Sequence, residues 1–575
     1  MTRDGAGAAG RVRRVNGPVL EVERLRGVAM ADLVEVGAAR LPGEVVALRP
    51  DRVTVQVYEY TGGITPGDPV VALGRPLAAP LGPGLLGGVF DGLLRPLSGA
   101  PVWLRPGVTR VADDRVWSFE PVAEVGQPLG AGEEIGRVTD AGPLPHRVLV
   151  PPGLAGTLEA VRPAGRYPAH EPVATVGGTG VDLTTWWPVR RARPYRARLD
   201  GAVPLTTGQR VLDAVFPLAL GASAAVPGGF GTGKTVLLQQ IAKWCDADVI
   251  VYVGCGERGN EMADVIEDFA QLADPRTGGR LADRTVIIAN TSNMPIMARE
   301  ASIYTGVTVA EFYRDMGYHA VVIADSTSRW AEALREFASR TGALPAEEGY
   351  PAGLASALAA FYERAGRVST AAGQEGSVTV VGAVSPPGGD LTEPVTAHTQ
   401  RFVRTLWSLD RDLAYARHYP AVTWAGSYCR DADAIGGWHV QHGDPGWASR
   451  RAHVVALLAE ADRLAAMAEL VGVTALPGPE RMVLLAARLL REGVLQQSAL
   501  SPTDARCAPD RSAALTDMVL GVLAACRDLI EAGVPATTIE AVDFSPVLRA
   551  REETTDAGQV ERRAELVVAG LAELR

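Results

Sequence analysis

The chain has 575 residues, 47% of them hydrophobic, enough for several domains with cores of their own. A net charge of −10 and a pI near 5.5 exclude a general nucleic-acid surface, which would be basic. The cysteines Cys245, Cys255, Cys429, Cys507 and Cys526 follow neither metal-ligand nor disulfide-framework spacing, so a reducing cytosol is expected. The amino terminus is polar and arginine-rich, without the apolar core of a signal peptide. No run approaches the roughly 18 apolar residues of a membrane span, so any membrane role is expected to pass through partners.

From residue 10 to about 74, β-branched runs at 12–15, 19–22, 33–36, 44–48 and 52–56 alternate with Gly/Pro turns, the pattern of a small β-barrel. Residues 75–107 read as a connector. Its segment Leu81-Gly82-Pro83-Gly84-Leu85-Leu86-Gly87-Gly88-Val89-Phe90-Asp91-Gly92 predicts a bent link followed by a short helix. A second β-rich stretch, 108–190, alternates polar and apolar residues and contains Trp117 to Pro121 and Arg147 to Gly153. It reads as an independent module inserted ahead of a nucleotide domain, with Trp186 and Trp187 packing between domains.

Residues 191–431 carry βα repeats and so predict a mostly parallel sheet. Gly228-Gly229-Phe230-Gly231-Thr232-Gly233-Lys234-Thr235 fits G-x-x-x-x-G-K-[ST]. A short apolar run at 222–226 precedes it, and 236–242 follows with helical periodicity. The glycines let successive amides turn inward as a phosphate cradle at a helix N-terminus. Lys234 would reach the terminal phosphates and Thr235 would offer its hydroxyl to Mg²⁺. The cationic residues are almost all arginine, and only Lys234 and Lys243 are lysine. A loop that fits a compact ammonium against phosphate cannot take the wide guanidinium fork. Lys243 is expected to be a solvated surface residue. From 432 to 575 the composition turns to Ala, Leu, Arg and Glu with helical spacing at 448–465, 479–490, 512–532 and 561–574. The fold expected is multidomain α/β: a β-barrel, a β-rich insert, a phosphate-loop nucleotide domain and a helical domain.

Strands at 249–253, 285–289, 320–324 and 377–384 end at Gly254-Cys255-Gly256-Glu257-Arg258-Gly259, at Asp325, and at Ser385-Pro386-Pro387-Gly388-Gly389-Asp390. Ligands of open α/β sheets bind beyond the carboxyl ends of strands, so Glu257, Arg258 and Asp325 are expected to share one crevice with the phosphate loop. Hydrolysis of a nucleoside triphosphate needs a positioned water, a metal and positive charge where charge develops. Asp325 is the candidate to hold Mg²⁺, its alternative being a helix cap with Ser326. Glu257 is the candidate to polarise the attacking water, its alternative being an ion pair with Arg258. Arg258 and Arg329 are candidates for phosphate contact or for simple salt bridges. Tyr419 is a candidate to stack on a base or, equally, a core tyrosine.

Together these segments resemble one family closely, the catalytic A subunit of V/A-type rotary ATPases. The resemblance runs over nearly the whole chain. It rests on residues 81–92, 229–235, Tyr252 to Met262, Ala324 to Arg335, Glu347-Glu348-Gly349-Tyr350-Pro351, 385–390 and His418-Tyr419-Pro420. It implies ATP or ADP and Mg²⁺ as ligands, and an A₃B₃ hexamer in which A alternates with a non-catalytic B subunit. It also implies central-stalk and peripheral-stalk partners, no nucleic acid, and an active site at the A–B boundary to which B lends an arginine. The complex would lie on the cytoplasmic face of a membrane and couple ATP turnover to H⁺ or Na⁺ transport through the membrane sector. By position, Lys234 and Thr235 match the phosphate and magnesium residues. Glu257 matches the catalytic glutamate, Arg258 the phosphate-contacting arginine, Asp325 the Walker B aspartate and Tyr419 the adenine-stacking aromatic. The insert matches the bulge that F-type relatives lack.

Three positions depart from the family pattern. Thr232 stands where many eukaryotic members carry cysteine, so disulfide control of the loop is not expected. Val494-Leu495-Gln496-Gln497-Ser498-Ala499-Leu500 lacks the final aromatic, which puts the second adenine contact in doubt. Tyr428-Cys429-Arg430 departs with no derivable consequence. Rival readings are a Rho-like nucleic-acid motor, disfavoured by the acidic balance, and a homohexameric protein-export ATPase, disfavoured by the bulge. A non-catalytic nucleotide-binding protein of the same fold is disfavoured by the intact Lys234, Glu257 and Asp325.

Overall fold

The computed structural model describes residues 7–98 and 115–574. The end of the expected connector and the first residues of the expected insert lie outside them. Two compact units form: one comprises residues to Leu199 with Ala247–Val384 and Thr392–Phe402, the other Asp200–Asp246, Ser385–Leu391 and Val403 onward.

In the first unit, Ala9–Asn16, Val19–Glu23, Asp32–Val36, Leu41–Leu48, Val53–Val57 and Pro69–Pro76 close a six-stranded barrel. Alternation puts Val12, Leu20, Val22, Val34, Val36, Val55 and Val70 into its core. The sixth strand, bounded by Pro69 and Pro76, closes the barrel by pairing with both Ala9–Asn16 and Asp32–Val36; its β-branched pattern is too interrupted to stand out in the sequence. Among its described residues, the connector forms no helix. Gly87 is left-handed (φ 76°), and a Cβ on Gly88 would meet the Phe90 ring at 2.4 Å. The chain there stays extended enough for Val89–Phe90 to add a parallel edge strand beside Ile287 and Ile288.

The described part of the insert is a sandwich of two four-stranded antiparallel sheets. Trp117, Phe119, Ile135, Leu158, Val173 and Val176 fill the space between them. Thr185–Pro188 then pairs with Ala78–Leu81. Trp187 is buried beneath the Arg193 guanidinium, whereas Trp186 is largely exposed under Arg75, so only one of the two tryptophans packs inside.

Val89–Phe90, Thr285–Asn290, Val249–Cys255, His319–Asp325 and Glu375–Val384 lie side by side in that order, all parallel. Residues from Val249 to Cys255 are all buried, as expected of strands covered on both faces. Helix Ile296–Asp315 is buried nearly throughout. Gly306 allows its close approach to the sheet, since a Cβ there would meet Val253 Cγ2 at 2.4 Å.

In the second unit, Ser223–Pro227 runs parallel to Thr405–Leu406, which pairs antiparallel with Tyr428–Cys429. Lys234–Trp244 is the helix that follows the first of these strands. Lys243 is half-buried with its ammonium 4.5 Å from the Trp244 ring centroid, not the freely solvated residue expected. Beyond Asp431 the chain is helical: Trp447–Val471, Gly478–Leu490, Pro509–Glu531 and Ala557–Ala572 are the long members. Pro509–Glu531 is central among them, burying Leu515, Met518, Val519, Val522 and Cys526.

Candidate functional site

The sequence-predicted residues fall into two constellations, one in each unit. In the second unit the strand Ser223–Pro227 ends at the phosphate loop, and helix Lys234–Trp244 begins where it stops. Gly231 (φ 79°) and Gly233 (φ 87°) take left-handed conformations that any side chain would strain. Thr232 Oγ1 donates to the Gly229 carbonyl at 2.8 Å. Lys234 Nζ donates to the carbonyls of Gly228 at 2.6 Å and Gly229 at 3.0 Å, so its ammonium sits across the loop. Leu409 packs beneath, with its Cβ 2.8 Å from where a Cβ on Gly228 would lie.

Tyr419 stands beside the loop, its ring 3.3 Å from where a Cβ on Gly233 would be. It is 42% exposed, so it is no core tyrosine. Its ring walls a cavity of about 620 Å³ that also touches Gly231, Val236, Gln240, Gln496, Ser498 and Leu500. Leu500 is 94% exposed at the edge of this cavity and covers little of it. The far wall is fixed by a buried network. Gln497 donates its amide N–H to Tyr419 O at 2.7 Å and its side-chain NH₂ to Gly208 O at 2.9 Å, and accepts from Arg210 N. Arg210 donates Nη2 to Gln496 O at 2.7 Å and pairs through Nη1 with Asp504 Oδ1 at 2.7 Å. Asp504 Oδ2 accepts from Ser498 N at 2.8 Å and from Arg551 Nη1 at 2.9 Å. Sequence reasoning noticed residues 494–500 but gave Gln497 no role, and it missed Arg210, Asp504 and Arg551: Arg210 meets Gln496, Gln497 and Asp504 only through the fold, and no motif joins these residues to Arg551.

In the first unit the strand ends bring Glu257 and Asp325 together. Gly254 pairs with Asp325 in parallel register. Gly256 N–H donates to Asn290 O at 2.7 Å and Ser292 N–H to Glu257 O at 2.8 Å, which pins the turn bearing Glu257. Asp325 is buried and accepts from Tyr252 Oη at 3.2 Å. The cap reading is not what forms: Ser326 is the N-cap residue of Thr327–Thr341 and makes no side-chain cap bond. Burial, the Asp325 charge and Glu261 push the Glu257 carboxyl up to about 8, with Arg329 opposing weakly. Glu257 does not pair with Arg258, whose guanidinium is 70% exposed and 3.8 Å from Glu261. Arg329 Nη1 donates to both oxygens of Glu332, at 3.1 and 3.0 Å, so its salt-bridge reading holds in this conformation.

These donors fit a magnesium nucleotide. An ammonium and a hydroxyl lie at one glycine-rich helix start, and the cavity beside them has an aromatic wall. The Glu257 carboxyl is pushed up by burial first and by the Asp325 carboxylate second, and two neighbouring carboxylates are the kind of oxygen donors that a hard cation takes.

Family comparisons match along the chain. The ATP synthase alpha/beta family beta-barrel domain matches residues 12–74, and the ATP synthase alpha/beta subunit barrel-sandwich domain residues 108–190. The ATP synthase alpha/beta family nucleotide-binding domain matches 208–429, and the C-terminal domain of V and A type ATP synthase 436–533. The V-type ATP synthase alpha chain of Nitrosococcus oceani is 48% identical over 560 residues, covering 95% of this chain and 94% of its own. That of Anaeromyxobacter dehalogenans (strain 2CP-C) is 51% identical over 537 residues, covering 92% and 93%. The A subunit of the A-type ATP synthase of Thermococcus sibiricus is 47% identical over 543 residues, again covering 92% and 93%. With phosphate loop, strand-end carboxylates, barrel, insert and helical region all accounted for, the chain belongs to the V/A-type ATP synthase alpha (A) subunit family.

Proposed function

We propose that this chain is the catalytic subunit of a V/A-type rotary ATPase or ATP synthase, interconverting ATP and ADP with Mg²⁺ and coupling that chemistry to ion transport by its complex. The observation that carries the reading is the phosphate loop, with Lys234 across its mouth and the Tyr419-walled cavity beside it. The amides and ammonium would hold the β- and γ-phosphates, and the Thr235 hydroxyl and Asp325 would hold the metal. Bound Mg²⁺ supplies positive charge where charge develops on the transferred phosphoryl group. Glu257 would orient the attacking water and accept its proton; its raised affinity for protons suits a group that takes one near neutrality. Arg258 would swing from its loose pair with Glu261 to the phosphates, Arg329 would help to orient the carboxylates, and Tyr419 would stack on adenine.

The working domain boundaries are 1–74, 75–107, 108–190, 191–431 and 432–575. Membership of a multisubunit complex follows from the family. The finer arrangement proposed is alternation with a B subunit that lends an arginine, with stalk subunits beneath. Among the described residues no helix is long and apolar enough to cross a membrane.

Glu257→Gln keeps the shape and removes the base. Nucleotide binding by the assembled complex should persist while hydrolysis falls by about 10²-fold or more. Turnover near the parent's would remove Glu257 from the water-activating role.

A further inference from the structure

Arg299 lies in the first turn of helix Ile296–Asp315, within the first unit, and it sits there against local preference. It is 8% exposed, and among the described residues no carboxylate pairs with it; its neighbour Glu300 is committed to Arg190 at 2.6 Å. Its buried Nε has no hydrogen-bond partner among the described residues. Its charge also stands at the positive end of the helix dipole, where a cation is disfavoured. An unpaired buried charge destabilises, so this position is constrained by something other than stability.

What the side chain touches is the turn that carries Glu257. Its Cδ and Nε each lie 3.1 Å from where a Cβ on Gly256 would stand. Its Nη2 donates to Ser292 O at 3.0 Å, while Ser292 N–H donates to Glu257 O at 2.8 Å. Ser292 therefore joins Arg299 to the turn through the two backbone groups of one residue. Among the described residues the other hydrogen bonds of 291–294 stay inside the loop, with Met294 N–H donating to Thr291 O at 3.0 Å and Thr291 Oγ1 to Asn293 Oδ1 at 2.5 Å. The guanidinium is thus what fixes this loop against the helix. The root of the arginine is itself held: its carbonyl accepts from Ser302 Oγ at 2.7 Å. Next to it, Glu300 O accepts from Trp330 Nε1 at 3.1 Å, on the helix Thr327–Thr341 that follows Asp325.

We propose that Arg299 is a positioning residue for the reaction: acting through Ser292, it holds the Glu257 turn so that the carboxylate meets the attacking water at a fixed place. The inference rests on the reading of Glu257 as the water-orienting group. Arg299 itself touches no nucleotide, since the phosphate loop and the base cavity are built from other residues. A reacting group displaced by about 1 Å loses roughly a hundredfold in rate, whereas nucleotide affinity is set by residues the clamp does not include.

The test joins turnover by the assembled complex to hydrogen exchange on the full chain. Arg299→Met keeps the length of the side chain and loses its donors. In the complex, kcat should fall about tenfold or more while KM for MgATP stays within about twofold. Arg299→Lys, which retains a donor for Ser292 O, should recover most of that loss. In the full chain, Arg299→Met should quicken exchange of the Ser292 amide about tenfold or more, read by mass spectrometry of overlapping peptides. Ser292→Pro, at an exposed position, leaves the arginine in place and removes the N–H that reaches Glu257 O. It should reproduce the loss in kcat alone, even if Arg299→Met fails to fold. The exchange rate needs no turnover, so it tests the clamp whether or not Glu257→Gln still hydrolyses ATP. Parental kcat in Arg299→Met or Ser292→Pro, a loss shared with KM, no recovery in Arg299→Lys, or an unchanged Ser292 exchange rate would overturn the assignment.

Discussion

Asp504→Asn is the most informative single perturbation of the base cavity. The side chain keeps its volume and loses its charge. In the parent, Asp504 and Arg210 are both fully buried, with Arg210 Nη1 2.7 Å from Asp504 Oδ1. Arg551 Nη1 lies 2.9 Å from the other oxygen. Two guanidinium groups thus depend on one carboxylate, and removing one member of a buried pair costs about 3–5 kcal/mol because the remaining charge stays desolvated. Arg210 retains its bonds to Val494 O and Gln496 O, which favours the lower figure of about 3 kcal/mol. For a cooperative unit of roughly 200 residues each kcal/mol moves Tm by about 2–4 °C, so a fall of about 6–12 °C is expected by calorimetry. Nucleotide affinity should fall as well, because the single amide oxygen cannot serve both Arg210 on one side and Arg551 with the Ser498 amide on the other, and Ser498 lines the cavity. The double variant Arg210→Met, Asp504→Leu should be less damaging than Asp504→Asn, since the fully buried charge is then gone and only Arg551 loses its carboxylate, partly exposed and still bonded to Gln496 O. A melting point within about 2 °C of the parent for Asp504→Asn would mean that water reaches this pair and that the argument from burial is wrong.

Three further outcomes follow from individual side chains. Tyr419→Ala should weaken ATP binding by about 1–3 kcal/mol, roughly 5- to 150-fold, while Tyr419→Phe should stay near parental affinity, as read by fluorescent-nucleotide titration. Leu500→Phe should tighten ATP more than a nucleoside-free triphosphate in competition binding, because the exposed leucine leaves the cavity edge uncovered; equal effects on both would place residue 500 away from the base. His146 is held neutral by burial, its proton affinity pushed down to about 3. The unfolded chain therefore binds this proton more readily, and stability should fall as pH drops from about 6.5 towards 3, more steeply in the parent than in His146→Phe when denaturant midpoints are compared.

What could be read before folding was what repeats locally. The phosphate loop was legible because its chemistry needs contiguous glycines and one ammonium, and the barrel strands were legible because one face is buried at every second residue. Glu257 and Asp325 were legible because each terminates a run of buried β-branched residues. Pro69–Pro76 was missed because its prolines and Gly74 resemble punctuation, although the prolines stand only at the strand's two ends, where a missing N–H disturbs the ladder least. The short helix expected within residues 81–92 fails for a related reason: glycines that permit a helix end also permit a strand, and pairing with Ile287 and Ile288 decides between them. The base cavity was only half legible. Tyr419 and Leu500 lie in motifs, whereas Arg210 and Asp504 look like any other charged pair until the fold removes both from water.

The turn at 256–258 shows how one backbone feature gives two neighbouring residues opposite physical characters. Gly256 is left-handed (φ 75°), and a Cβ there would approach Arg329 Cβ at 2.8 Å, so the turn admits no side chain without moving its neighbours. Pinned by Asn290 and Ser292, it directs Glu257 inward, where burial and Asp325 raise its proton affinity. It leaves Arg258 outside, held by one exposed pair at 3.8 Å, an interaction worth about 0–1 kcal/mol. Reorienting Arg258 towards an anion therefore costs little, whereas displacing Glu257 means breaking the turn. A fixed carboxylate and a readily redirected cation on consecutive residues suit a reaction in which the water must be placed before charge develops on the phosphoryl group, and in which the compensating charge is needed only as it does.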